Sequence, residues 1–206
     1  MVYFCMVKRD NNISKAERTR QFIVEKTAPI FNKKGYAGTS LSDITEATGL
    51  TKGSIYGNFA DKDEVALAAF DYNIAKMRAV TNAEIAKYST VREQLLAYVE
   101  VYGNYMKYSF QSGGCPIMNT TVEADDTHPV LKSKVCHVMM SWKDRVAGLI
   151  EKGIANKEFK RDTDAEQAAL TLFAMIEGAI LISQATGRLD YRKKVLQSAE
   201  KLIKDL

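Results

Sequence analysis

Residues 39–59, TSLSDITEATGLTKGSIYGNF, restrict the possible folds of this chain more than any other stretch. Leu41, Ile44 and Ala47 recur every third residue and mark the apolar face of a short helix over Leu41–Thr48. Gly49 follows, where a chain leaving a helix turns left-handed and a Cβ would clash. Thr51 is then placed to cap a second helix running through Tyr56, its hydroxyl accepting an otherwise orphaned backbone N–H. Two short helices about a glycine turn make a helix-turn-helix, and the second helix of such a pair fits a DNA major groove. Ile55 and Phe59, four apart, are expected to pack inward on the first helix. Lys52, Ser54, Tyr56 and Asn58 are left on the side where a groove would lie. The bland reading of the same pattern is a helical corner with no role on DNA.

The flanking residues extend the pattern. Gly35, Tyr36, Thr39, Ser40, Leu41, Asp43 and Ile44 form one block. Gly49, Leu50, Thr51, Lys52, Gly53, Ser54, Ile55, Tyr56, Asn58 and Phe59 form a second, and Asp61, Lys62 and Asp63 complete the run. Over residues 14–70 this arrangement resembles the TetR family of bacterial transcriptional regulators. Asn58 stands where many members carry histidine or tyrosine, so no base preference is carried over. The resemblance implies that the last long helices of two subunits pack as a four-helix dimer interface.

Charge is distributed unevenly. Residues 1–60 hold nine Lys/Arg against five acids, while residues 61–206 balance, so the whole excess of +4 sits on the segment with the helix-turn-helix. That is the distribution expected of a segment that neutralises phosphates. A chain of 206 residues, 46% hydrophobic with three prolines, can bury one sizeable core and a small satellite domain. No apolar run is read as approaching the roughly 18 residues that cross a bilayer. The N-terminus, MVYFCMVKRDNN, lacks a basic segment before its apolar residues, so no signal peptide is read and the chain is placed in the cytoplasm. Residues 1–12 are expected to be a loose arm carrying Cys5, Lys8 and Arg9. Three cysteines without paired spacing predict no structural disulfide.

Elsewhere the pattern is helical. A first helix is expected over Ser14–Lys34 with Phe22, Ile23, Thr27, Ile30 and Phe31 on one face and Gly35 past its end. A fourth should start near Asp61, and a fifth should cover Val91 to about Phe110. A short helix follows from Pro116, and a long one opens at Asp126 or Thr127 with Pro129 and ends near Gly153. Two more span Asp164–Thr186, closed by Gly187, and Leu189–Ile203. The expectation is an all-α fold of about nine helices. Residues 13–60 would form a three-helix DNA-binding domain, and 61–206 a larger helical ligand-binding and dimerisation domain. The segment at 165–186 is apolar on more than one side, with small Ala168, Ala169, Ala174, Gly178 and Ala179 that permit close helix approach. It suits a homodimer, whose two recognition helices would read a palindromic operator.

Roles on DNA follow from residue chemistry. Lys52 and the Gly53 backbone would reach phosphate or a guanine edge. Tyr56 would lay its ring along sugar or a thymine methyl, and Asn58 would bond backbone or adenine. Thr39, Ser40 and Ser42 would offer hydroxyls and helix N-terminal N–H groups to phosphate. Ser54 faces the same side, and Lys62 would clamp the flanking backbone. For each, plain solvation or capping is the alternative, for Ser40 most of all.

The second domain offers an aromatic stripe, Tyr98, Tyr102 and Tyr105, with Met106 beside it. Met118, Met139, Met140, Trp142, Phe173 and Met175 could close around an apolar effector, or simply fill the core. Cys115, after two glycines and before Pro116, would sit at a helix N-terminus that favours the reactive thiolate. A glycine-cysteine pair here also resembles TetR-like repressors that sense electrophiles or oxidants, although a small buried residue explains it as simply. Cys136 is expected to be inert core. His128 and His137 have no metal-ligand spacing, and Glu123, Asp125 and Asp126 are expected to cap the following helix. No metal site, cofactor loop or catalytic constellation is read. The expected function is a homodimeric repressor released from double-stranded DNA by a small molecule or by cysteine modification. The alternative is a helical redox or ligand sensor that acts through a protein partner.

Overall fold

The computed structural model describes residues 14–103 and 113–206, and every regular element among them is an α-helix. The expected arm over 1–12 lies outside the described residues, as do Tyr105 and Met106. The helices are α1 (Lys15–Gly38), α2 (Leu41–Thr48), α3 (Lys52–Tyr56), α4 (Lys62–Ile85), α5 (Val91–Gly103), α6 (Pro116–Ala124), α7 (Pro129–Ala155), α8 (Ala165–Thr186) and α9 (Leu189–Asp205).

Local chemistry sets most of their ends. Ser14, Ser40, Thr51, Asp61 and Asp164 each accept a backbone N–H three residues on. Helix α1 breaks where expected, just past Lys34. It runs to Gly38 across a kink at Gly35, whose φ of 75° and ψ of 176° suit only glycine. Helix α7 is capped neither by Asp126 nor by Thr127. Instead His128 accepts the Leu131 N–H on Nδ1 at 3.2 Å.

Two cores result. Ile23, Ala28, Phe31, Ile44, Ile55 and Phe59 form a small one with Val65, Ala66 and Ala69 of the first turns of α4. A larger one joins α4–α9 around Leu95, Tyr98, Val101, Ile117, Ile150, Leu172, Ile176, Ile180 and Ile203. Phe22 departs from its expected inward face and is exposed, as are Met140 and Cys136. Helix α8 corrects the reading that no segment reaches membrane-spanning length, since its mean hydropathy over such a window is 1.6. Yet Ala169, Leu172, Ile176 and Ile180 are buried in the bundle core, and Glu166 and Glu177 lie on the same helix.

Candidate nucleic-acid interface

The helix-turn-helix is built from short-range bonds. The Ser40 hydroxyl accepts the Asp43 N–H at 3.1 Å while Asp43 accepts the Ser40 N–H at 2.8 Å, a reciprocal capping box. Lys34 donates to the same carboxylate at 2.6 Å, and these bonds hold the Asp43 pKa down at about 2. Gly49 takes the left-handed φ of 68° and returns its N–H to Thr45. Ile44 and Ile55 are both fully buried in the small core, so apolar packing holds α2 and α3 together.

A third element orients α3. Arg20 of α1 lies over the Phe59 ring at 4.0 Å, donates to the Asn58 carbonyl and donates to Glu64 at 2.8 Å. Glu64 also accepts the Ala60 N–H at 2.7 Å, so the turn between α3 and α4 is held from both sides. No spacing in the sequence marked Arg20, because its partners lie 38 and 44 residues away.

The residues expected on DNA separate into two groups. Ser42, Lys52, Gly53 and Tyr56 are exposed along the start of α2 and along α3, and the Lys52 ammonium lies 5.9 Å from the Tyr56 ring centre. The others are engaged within the protein. Thr39 is fully buried, and its hydroxyl donates to Gly35 O at 2.6 Å, so it does not present the free hydroxyl expected of it. Ser40 is exposed but serves the capping box. Asn58 donates its amide to Ser54 O at 2.8 Å, and both residues are half-buried. Lys62 reaches inward, donating to Tyr36 O at 3.0 Å and Thr39 O at 3.2 Å above the Tyr36 ring. The exposed set combines a cation, an amphipathic ring and unblocked backbone, which can meet phosphate, sugar and base edge together.

Behind this small-core unit of α1–α3 and the start of α4, the head of the molecule, α6 is bonded to α1. Glu123 accepts the Tyr36 and Ala37 N–H groups at 2.6 and 2.7 Å, just past the Gly35 kink. Any Cβ at Gly35 would lie 2.5 Å from that carboxylate. Asn32 donates to Gly114 O at 3.0 Å, and Asn119 donates to Asn32 O at 2.9 Å. Glu123 therefore bridges the two parts of the molecule and does not cap α7. Tyr36 also donates to Asp63, and that bond, with burial, pushes its phenol up to about 12.

In the larger core, Tyr98, Trp142 and Phe173 stack edge to face, with centroids 5.7 and 5.1 Å apart. Tyr102 is buried beside them, and Met118 and Met139 are half-buried against the same cluster. Cys115 is buried, and its thiol donates to Glu177 Oε1 at 3.0 Å. Burial and then the adjacent carboxylate push the thiol well above its ordinary pKa. The group is therefore a protonated thiol, and the reactive thiolate expected from the helix N-terminus is not favoured: desolvation outweighs the dipole. Burial raises the Glu177 carboxyl to about 7, and its Oε2 has no hydrogen-bond partner. The only sequence signal for this pair is a lone acid in the apolar run of α8, which names no partner. Among the described residues no group of side chains could hold a metal.

Comparisons with known proteins agree with this geometry. Residues 23–69 match the family model "Bacterial regulatory proteins, tetR family", and residues 92–199 match "Tetracyclin repressor-like, C-terminal domain". The HTH-type transcriptional repressor DhaR of a Mycobacterium species is 26% identical over 79% of this chain and 80% of its own length. A TetR-family transcriptional regulator from Cytophaga hutchinsonii superposes with a TM-score of 0.90 at 51% identity, covering 93% of this chain and 96% of that one. Another, from Chloroflexus aurantiacus, does so at 0.88 and 36%, with the same coverage. An exposed recognition helix on a buried helix-turn-helix scaffold, in a chain this similar to those regulators, has one interpretation: the protein belongs to the TetR family of DNA-binding transcriptional regulators.

Proposed function

We propose that the protein is a homodimeric repressor that binds a palindromic operator and is released by a small-molecule effector held non-covalently in the helical body. The observation that carries the first half is the exposed Lys52–Gly53–Tyr56 edge of α3, on a scaffold in which Thr39, Asn58 and Lys62 are engaged internally. One five-residue helix reads few base pairs, so useful specificity calls for two copies. An outward stripe supports the pairing. Leu170, Ala174, Leu181, Ile182 and Ala185 are exposed along one side of α8, and Leu181 keeps 54% of its surface in the single chain. A Cβ at Gly178, on the same side, would meet open space, leaving room for a second backbone.

The second half rests on the bonds between α6 and α1. An effector that binds one arrangement of the body more tightly than another would change the hold of Glu123 and Asn119 on α1, and so the spacing of the two α3 helices. The protonated, buried Cys115 favours a non-covalent ligand over thiol modification. The experiment is selection of the purified protein on random duplexes at near-physiological salt. Enrichment of a palindrome, lost in a monomeric Leu181→Glu variant, is the expected result. Enrichment of nothing above non-specific background would overturn the reading and favour a sensor acting through a protein partner.

A further inference from the structure

Between α4 and α7 a narrow cleft opens to solvent, and its lining carries charge of one sign. Arg78 and Arg145 stand among the lining residues, none of which is acidic; the others include Tyr98, Tyr102, Ile117 and Trp142. The balance of residues 61–206 is neutral, so a wall with two guanidinium groups and no carboxylate departs from its surroundings.

The arginines are held across the mouth by two polar rungs. Arg78 donates to Ser141 Oγ at 3.4 Å, and Arg145 donates to Asn82 Oδ1 at 2.5 Å. The partners alternate between the helices, with Arg78 and Asn82 on α4 and Ser141 and Arg145 on α7, each pair one turn apart. Neither guanidinium is paired with a carboxylate among the described residues, whereas Arg20, Lys34, Lys134 and Lys143 each reach one on another helix. The remaining donors of two guanidinium forks on neutral partners suit a planar anion, which they can grip bidentately. Tyr98 adds a phenol at the same place. Burial raises its pKa, and the Arg145 charge opposes that shift.

Deeper in, the chemistry reverses. Ile117, Val138 and the Trp142 ring form an apolar floor, and the buried Glu177 lies beyond Tyr102. An anion would be stable only at the mouth and an apolar body only at the floor. As it stands the cleft holds about one water molecule. Tyr98 and Trp142 also line a seam against Val99, Val146, Leu172 and Ile176 that is too narrow to admit a water molecule. Trp142 lines both spaces, so seating an apolar body requires its ring to move aside.

We propose that this cleft is the effector site, and that its ligand is an amphipathic monocarboxylate: an aryl-alkyl or alkyl acid, with its carboxylate between Arg78 and Arg145 and its apolar end against Trp142. The assignment rests on the ligand-responsive reading above and adds the ligand's class. Trp142 is the only tryptophan in the chain, so its emission reports on the site directly.

The experiment titrates the full-length protein with phenylbutyrate, its primary amide and phenylbutylamine, and with alkanoates from acetate to decanoate, following Trp142 emission. The same samples are assayed for duplex binding without ligand. Expected is a saturable change in which an acid binds about tenfold or more tightly than its amide, the gain of a charged hydrogen-bonded pair. Arg78→Gln combined with Arg145→Gln should abolish that preference while leaving duplex binding of the unliganded protein unchanged. Arg145→Lys, which keeps the charge but loses the fork, should fall between. Equal or tighter binding of the amide or the amine, no saturable change with any acid, or retention of the preference in the double variant would each overturn the assignment. Absence of duplex binding in the unliganded protein would instead count against the regulator reading and leave the emission result to stand alone.

Discussion

The head and the body of this molecule are stabilised by polar bonds of different reach. In the head, Ser40 meets Asp43, Thr51 meets Ser54, and Asp61 meets Glu64, each across three residues. In the body, Cys115 meets Glu177 across 62 residues, and Glu123 reaches back 87 residues to Tyr36. The helix caps of the head are thus set locally on a small core, with Arg20 and Lys62 as its longer braces, while the bonds of Cys115 and Glu123 depend on the packing of distant helices. A head of this kind can be aimed as one piece by whatever the body does to α1 and α4. The contrast teaches where regulation can enter: through the few long-range bonds that join the two parts.

The largest effect should come from attacking the small core. Phe59→Ala removes a buried ring that also carries Arg20, and is expected to cost the head about 3–5 kcal/mol. Because Trp142 sits in the body, urea unfolding should show helix loss by circular dichroism before any change in tryptophan emission. Coincident transitions would mean that head and body are a single cooperative unit.

Glu177 comes next. Its folded pKa of about 7 lies above the ordinary 4.5, so the unfolded chain releases its proton first as pH rises. Stability is unaffected below 4.5, falls between these values, and stays reduced above the folded pKa, by about 3 kcal/mol at most for a shift of this size. Glu177→Gln should flatten that slope and stabilise the protein at alkaline pH. An unchanged profile would show that the carboxyl is well solvated.

Smaller effects test the local caps. Ser40→Ala should cost about 1 kcal/mol in thermal unfolding. Gly49→Ala should cost about as much through left-handed strain alone, since its Cβ would meet no neighbour within 4 Å. The smallest concerns acid. Asp43 is lowered from 3.8 to about 2, so its contribution is full above 3.8 and lost as pH falls through about 2. A Ser40→Ala variant should show a weaker acid response over that window, with the difference screened by salt.

Legibility in the sequence follows the same division. Helix α2, the Gly49 turn, the Thr51 cap and the Asp61 cap could all be read, because each depends on residues within one turn. Helix α8 and its closing Gly187 were legible for the same reason. The site was only partly so. Lys52 and Tyr56 are exposed as their spacing implies, but Thr39 and Lys62 turn inward onto the carbonyls of Gly35 and Tyr36, and the sequence, though it places a break at Gly35, does not show which side chains fill it. His128, next to the start of α7, caps it in place of the acids upstream, and Glu123 is drawn to α1. The local position of Cys115 misleads, since the carboxylate that sets its state lies on another helix.

The central claim is that the exposed edge of α3 reads DNA as one of a pair. Its most direct test is an anisotropy titration of a selected palindromic duplex with the wild type and with Tyr56→Ala, their subunit state fixed by sedimentation. The account predicts two protomers per duplex, and affinity weaker by about tenfold or more in the variant with the dimer intact. Equal affinity for both proteins, or a single protomer per palindrome, would contradict it.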